Sequence, residues 1–283
     1  MKKIALLLAA TLFAVTFTSC KKTKPYNPKE KISKIYVDKG QGKSLSEVWN
    51  WDGKRLKAIE HHYTLEDYVL QYYTEVFDYN KKGQVIKVQS EEYGAYTDYI
   101  YDKHDRLYQT RTFENGINIA NYTFEYDDNE LSEIVLVLND SKSAAAKSIE
   151  NPLRYVLPEL SSMMTDKILN NASAERGSRF EFDIDWIGQN ISEIEMEYGN
   201  YTEKYYFKYD NKSNPFRNLF GLEILEGLET ESFASKNNVV EVTFVELYMG
   251  FSSSETENIY YTYDGKFPVT KSYSNIIEYY EYE

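Results

Sequence analysis

The sequence predicts an all-β body: an antiparallel meander of repeated hairpins, curled or barrel-like, with one helical insertion. Three observations carry this reading. The 283 residues include 28 Tyr, beside 14 Phe and 3 Trp. Such rings fit a pleated, half-buried surface while a phenol stays wet. A short aromatic and acidic phrase recurs along the chain, and its flanks alternate with the period of two that strands require.

The chain opens on Met1-Lys2-Lys3, a basic start, followed by 14 apolar residues and threonines from Ile4 to Phe17. That run is shorter than the ~20 residues of a spanning helix and matches the hydrophobic stretch of a secretory signal. Phe17-Thr18-Ser19-Cys20 then looks like a bacterial lipobox, in which the thiol of Cys20 is acylated and the preceding bond is cut. Residues 1–19 are read as the leader and 20–30 as a polar tether, with Lys21, Lys22, Lys24, Pro25 and Pro28. Two or three acyl chains hold a protein on a bilayer where one is marginal. The basic residues after Cys20 point to the periplasmic face of the outer membrane, since surface-exported lipoproteins carry acidic residues there.

Residues 31–283 are read as one repetitive β domain. Its phrases are Trp49-Asn50-Trp51-Asp52, Phe77-Asp78-Tyr79-Asn80, Tyr99-Ile100-Tyr101-Asp102, Phe124-Glu125-Tyr126-Asp127, Phe182-Asp183-Ile184-Asp185, Phe207-Lys208-Tyr209-Asp210 and Tyr261-Thr262-Tyr263-Asp264. They recur about every 25 residues with two gaps near twice that, the length of a hairpin and its connection. Tyr122, Phe124 and Tyr126 share one face, as do Ile194, Met196 and Tyr198, while Glu195 and Glu197 take the other. Asp-Gly at 52–53 and 264–265 and Asn-Gly at 115–116 suit tight turns. The recurrent Asp or Asn then accepts hydrogen bonds from its own turn.

One stretch breaks the pattern. From about 144 to 174, Leu153, Val156, Leu157, Leu160, Met163, Met164, Ile168 and Leu169 fall largely three and four apart, so a helix is expected there. Residues 221–233 fill the second long gap as a loop or degenerate strand pair.

The Tyr-Asp phrase is similar to the tyrosine–aspartate repeats of secreted bacterial shell proteins. With the lipobox, the Tyr-rich C-terminal hairpin and Tyr209-Asp210-Asn211-Lys212-Ser213-Asn214-Pro215-Phe216, the layout resembles a family of gut-bacterial envelope lipoproteins with a porin-like β domain. The resemblance implies a meander curling towards a barrel; it implies no activity and no site residues.

Charge and composition narrow the function. The net charge is −13, and without Lys2 and Lys3 the 45 acidic residues face 30 basic ones. Such a field repels phosphate backbones, so no nucleic-acid partner is expected. Cys20 is the single cysteine, which excludes an internal disulfide or a thiolate metal site. Gly40-Gln41-Gly42-Lys43-Ser44 lacks the first glycine of a phosphate loop, and Asp78 to Gly83 fails as a calcium loop because Lys82 and Gln89 stand where oxygen ligands belong. His61 and His62 are neighbours, so a strand sends them to opposite faces, and with His104 they are read as surface histidines. No metal, cofactor or catalytic residue is assigned.

Trp49, Trp51 and Trp186 sit in the repeat phrases and are the candidate ligand-binding residues, because flat rings beside polar groups suit sugar faces. Core packing is the other reading, and solvent exposure separates the two. The expected function is a non-enzymatic envelope module holding glycan, peptide or protein. The alternatives are a periplasmic polysaccharide hydrolase using a carboxylate pair and a purely structural repeat.

Overall fold

The computed structural model describes residues 26–64, 70–90, 94–127, 130–139, 178–198, 201–219 and 235–283. The expected leader over 1–19, the expected helix over 144–174 and the stretch 221–233 lie outside them. Among these described residues seventeen strands form one sheet. They are β1 (Ile32–Asp38), β2 (Ser44–Asp52), β3 (Arg55–Thr64), β4 (Leu70–Tyr79), β5 (Val85–Ser90) and β6 (Ala95–Tyr101). Next come β7 (Leu107–Glu114), β8 (Ile117–Asp127), β9 (Glu130–Leu138), β10 (Ser178–Ile187), β11 (Asn190–Tyr198) and β12 (Tyr201–Tyr209). The set ends with β13 (Val239–Tyr248), β14 (Phe251–Asn258), β15 (Tyr260–Asp264), β16 (Phe267–Tyr273) and β17 (Ile276–Tyr282).

Each strand from β1 to β14 pairs antiparallel with the next. The same holds from β15 to β17, and β17 returns to pair with β1. The meander therefore curls into a nearly closed barrel. Its last closure is made by a change of partner. β14 and β15 form one extended course interrupted at Ile259, the first half paired with β13 and the second with β16. Ile259 is buried and its N–H donates to Val240 O at 2.9 Å.

Alternation decides which residues fill the barrel. On β6, Ala95, Thr97 and Tyr99 are buried, and on β12, Glu203, Tyr205 and Phe207. One apolar cluster runs round the inside through Trp49, Ile59, Phe77, Tyr122, Ile134, Phe182, Phe207 and Tyr280.

Six of the recurrent phrases end at one end of the barrel, and there the sheet repeats one device. The seventh, Phe182 to Asp185, lies within β10, and Trp186 takes the aromatic place at that tip. At each tip the ladder slips by one residue at the aromatic, so that Trp51 faces Leu56, Tyr79 faces Val85, Tyr101 faces Leu107 and Tyr126 faces Leu131. Such a bulge leaves a residue outside the ladder. The carbonyl opposite one aromatic is then met by the ring of the following hairpin. Tyr79 Oη donates to Leu56 O at 2.5 Å, Tyr101 to Val85 O at 2.8 Å and Tyr126 to Leu107 O at 2.8 Å. Trp186 Nε1 donates to Leu131 O, Tyr282 Oη to Pro268 O and Trp51 Nε1 to Ile32 O, each at 2.7 Å. The residue before the acceptor often lays a cation over the same ring: Lys31 over Trp51, Arg55 over Tyr79 and Arg106 over Tyr126. Tyr209 instead shares a hydrogen bond with Ser235 Oγ, which also receives Ile191 N–H.

Asn80, Asp102 and Asp210 behave as expected of turn residues, whereas Asp185 lies in the ladder opposite Glu193. Asn80 Oδ1 accepts from the N–H groups of Lys82 and Gln84, Asp102 Oδ1 from those of His104 and Arg106, and Asp210 Oδ1 from those of Lys212 and Asn238. Partial burial raises the Asp102 pKa, but the bonds from Arg106 and His104 outweigh it and hold the carboxyl below its ordinary value. At the opposite end Asn115 (φ 49°) and Gly116 (φ 78°) link β7 to β8. That turn needs two left-handed residues in a row, and Asn-Gly adopts them at least cost.

The tip device makes a test. Tyr101→Phe removes one donor and strands the Val85 carbonyl, so urea unfolding is expected to show a loss of about 1–2 kcal/mol. Tyr108→Phe, on an exposed ring of β7, is expected to change stability by less than about 0.5 kcal/mol.

Candidate functional site

The three tryptophans do not form one platform. Trp49 is 4% exposed and points into the barrel, with its Nε1 on Glu47 Oε2 at 2.7 Å. Its ring centroid lies 6.4 Å from that of Trp51, 6.5 Å from Tyr26 and 6.1 Å from Phe216. Trp51 is half-buried against Tyr26 at 5.8 Å. Trp186, also half-buried, stands apart on β10 in its own tip rung. Trp49 and Trp51 therefore meet, and Trp186 does not join them.

The first two meet because they stand two residues apart on β2, and a plug packs against them. Residues 210–219 fold over the tip end, and the hydroxyl of Tyr26, inside the span read as tether, donates to Pro215 O at 3.0 Å. Asn214 holds this loop, accepting Phe216 N–H at 2.9 Å and donating to Ser235 O at 3.2 Å. Phe216 also packs edge-on against Tyr280.

Toward the opposite end the inward residues change character. Aliphatic and aromatic side chains give way to Glu47, His61, Glu75, Ser90, Thr97, Thr112, Glu203, Lys271 and Glu278. His61 and His62 point to opposite faces as the strand period demands, but His61 is not a surface residue. It is 9% exposed and stacks on Tyr73 at 4.5 Å. Its Nδ1 lies 3.7 Å from Glu47 and its Nε2 3.3 Å from Glu75. The signal for this was present in the chain, since His61 is in phase with the apolar Ile59. The imidazole spans the two carboxylates.

Two further carboxylates are held by phenols. Glu203 accepts from Tyr201 and, at 2.8 Å, from Tyr205. Glu278 accepts from Tyr273 at 2.9 Å and from Tyr280, with Lys271 Nζ at 3.5 Å. Burial first, and then the neighbouring glutamate, push the Tyr205 and Tyr280 phenols far above their ordinary value. They therefore remain donors, and each carboxylate keeps its partners. This interior can hold polar groups in fixed positions. Among the described residues no set of His, Cys, Asp or Glu is arranged to hold a metal.

The outer face carries a different pattern. Glu125, Glu133, Asp183 and Glu195 stand directly opposite one another across β8 to β11, and Lys204 ends the row. Lys204 Nζ reaches Glu195 at 2.6 Å and Glu193 at 3.5 Å. Desolvation raises the pKa of Glu133 and Asp183, and their acidic neighbours raise it further. The ionised forms are thus disfavoured in the fold. Stability is lost as pH rises through the raised values and regained as it falls through them. Asp183→Asn is expected to raise the melting temperature by roughly 1–3 °C at pH 7. The gain should shrink as the pH falls towards the ordinary carboxylate range, and thermal melts across pH measure both.

The loops that mimicked ligand motifs are turns. Gly40 and Gly42 donate their N–H groups to Asp38 Oδ1 at 2.8 and 2.9 Å. Asn80 and Gly83 close the tip between β4 and β5 with backbone bonds.

No family model and no curated protein matches the chain. Among solved structures it is similar to a porin-like protein from Bacteroides uniformis, with a TM-score of 0.53 and 13% identity over 89% of this chain and 98% of that one. A porin-like protein from Bacteroides vulgatus covers 90% of this chain and 99% of its own, at 9% identity and a TM-score of 0.28. The first likeness is one of fold, and it agrees with a porin-like β domain.

Proposed function

We propose that the protein is a lipid-anchored component of the cell envelope, a non-enzymatic module that holds glycan, peptide or partner protein. In this reading the acylated Cys20 tethers it to the outer membrane on the periplasmic side. The observation that carries it is the sign of the two faces. A barrel spanning a bilayer turns an apolar band outward. Here the outward positions on β10, β11 and β12 include Glu181, Asp183, Asp185, Glu193, Glu195, Glu197, Lys204 and Lys208, while the apolar residues fill the inside. That distribution supports a body in water, and the lipobox supports a body in water that is moored. Tyr26 lies in the plug at the tip end, so the tips would face the bilayer and the opposite mouth would face away. A binding role is favoured over hydrolysis because the Glu47 and Glu75 carboxylates are spanned by His61.

Expression in a Gram-negative host with labelled palmitate tests the anchor. The wild type is expected to carry label and sediment with outer membranes, and Cys20→Ser to lose label and become soluble in the periplasm. A soluble, unlabelled wild type would end the reading. Protease added to intact cells should leave the protein whole. Turnover of envelope oligosaccharides abolished by Glu75→Gln would replace binding with hydrolysis.

A further inference from the structure

Among the described residues the seam of the barrel leaves β14 and β15 each paired on one side only, and the longer open edge is that of β14. β14 pairs with β13 from Glu241 opposite Asn258 to Tyr248 opposite Phe251, with no bulge. On its other side no strand pairs with it among the described residues. Only its last turn is covered, where the Glu257 carboxylate accepts the N–H of Ser274 at 2.7 Å and its hydroxyl at 3.1 Å. Nearly every residue of β14 is exposed.

Open edges are normally blunted with lysine, proline or a bulge, because they recruit other strands. The segment Phe251-Ser252-Ser253-Ser254-Glu255-Thr256-Glu257-Asn258 has none of these. Beside it the hairpin tip exposes large apolar side chains: Leu247 at 38%, Tyr248 at 48%, Met249 at 63% and Phe251 at 79%. An edge guarded only by glutamates, next to an exposed apolar cluster, suits the uptake of an extended peptide of opposite charge.

The direction of the edge groups follows from the turn. Met249 and Gly250 both have positive φ (47° and 85°), a two-residue hairpin turn in which Tyr248 and Phe251 exchange backbone bonds. Ile259 N–H donates to Val240 O, which keeps the same phase. Phe251, Ser253 and Glu255 therefore bond to β13, and Ser252, Ser254 and Thr256 turn their N–H and C=O outward.

Charge selects the occupant. Pairing β14 with a second copy about a two-fold axis keeps like faces together. Every register of that kind that overlaps five residues or more sets Phe251 against a glutamate, leaving the carboxylate without a cation, or a glutamate against a glutamate, which is destabilising. An extended partner with a basic residue facing Glu255 and a large apolar residue facing Phe251, four positions apart on one face, meets neither objection.

We infer that the β14 edge is a docking site for an extended peptide segment of a partner protein carrying that basic and apolar spacing. This rests on the binding-module reading and names its site and ligand class.

The test uses the full-length lipidated protein in detergent and a fluorescent peptide, Thr-Lys-Thr-Val-Thr-Phe-Thr, whose antiparallel pairing puts Lys on Glu255 and Phe on Phe251. It is expected to bind about tenfold or more tighter than the same peptide with Glu for Lys. Ser254→Pro removes an outward N–H without touching the β13 ladder. It should weaken binding about tenfold with an unchanged melting curve. Glu255→Lys, on an exposed side chain, should invert the preference between the two peptides. Absent binding, equal binding of the two peptides, or binding indifferent to Ser254→Pro would overturn the inference. So would a dimer dissolved by Ser254→Pro, which would assign the edge to a second copy. Palmitate labelling of Cys20 is read separately, so loss of edge binding with an intact anchor refutes the site and leaves the moored body standing.

Discussion

The structure depends on one interaction repeated around an end of the barrel: a ring N–H or O–H given to a backbone carbonyl of the neighbouring hairpin. A strand's side chains alternate, so a slip of one residue would turn a whole core face outward. The tip bulges fix that register, and each leaves a carbonyl that needs a donor. Tyrosine and tryptophan answer both needs at once, because the ring packs on the core while its polar edge reaches the backbone. Tyr79, Tyr101 and Tyr126 do this in succession along β4, β6 and β8. Bulges also increase local twist, which helps a seventeen-strand sheet curl instead of lying flat.

How much of this was legible in the chain follows from the range of each interaction. Turn chemistry is local, so Asp102 and Asn80 announced their roles through residues two and four positions away. Strand alternation is local as well, and it separated Ile194 and Met196 from Glu195. The rungs were not legible, because Tyr101 and its acceptor Val85 are joined only when two hairpins lie side by side. Nor was the partner change at Ile259, a single residue between two stretches with the same alternation. The burial of His61 could have been read from its phase with Ile59, but its glutamate partners come from the strands on either side. Trp49 and Trp51 were correctly seen as part of the phrase. The plug that packs against them arrives from Phe216 and Tyr26, on either side of them along the chain.

The two halves of the interior use different physics. Near the tips the filling is aliphatic and aromatic and gains from removal of area from water. Farther along, Glu203 and Glu278 are buried with their lone pairs met by phenols, which avoids the heavy penalty of an unpaired charge. Outside, the row through Glu133 and Asp183 runs against stability, offset by Lys204 at one end and by Arg179 near Glu133. A protein shaped by stability alone would break that row with a cation.

The place of β17, between β16 and β1, bears on how the molecule is made. Glu283 N–H donates to Lys31 O, and Tyr280 lies opposite Ile35, so the first strand is sealed on one side by the last. Synthesis runs from the other direction. β1 must wait with a bare flank while some 240 residues follow it, and pairings of such sequence separation form slowly because loop closure precedes any reward. During that interval the growing ribbon is an open curl with sticky margins. A holding factor that shields β1, or rapid completion of the chain relative to collapse, is the condition under which this architecture reaches its ring without first joining a neighbour.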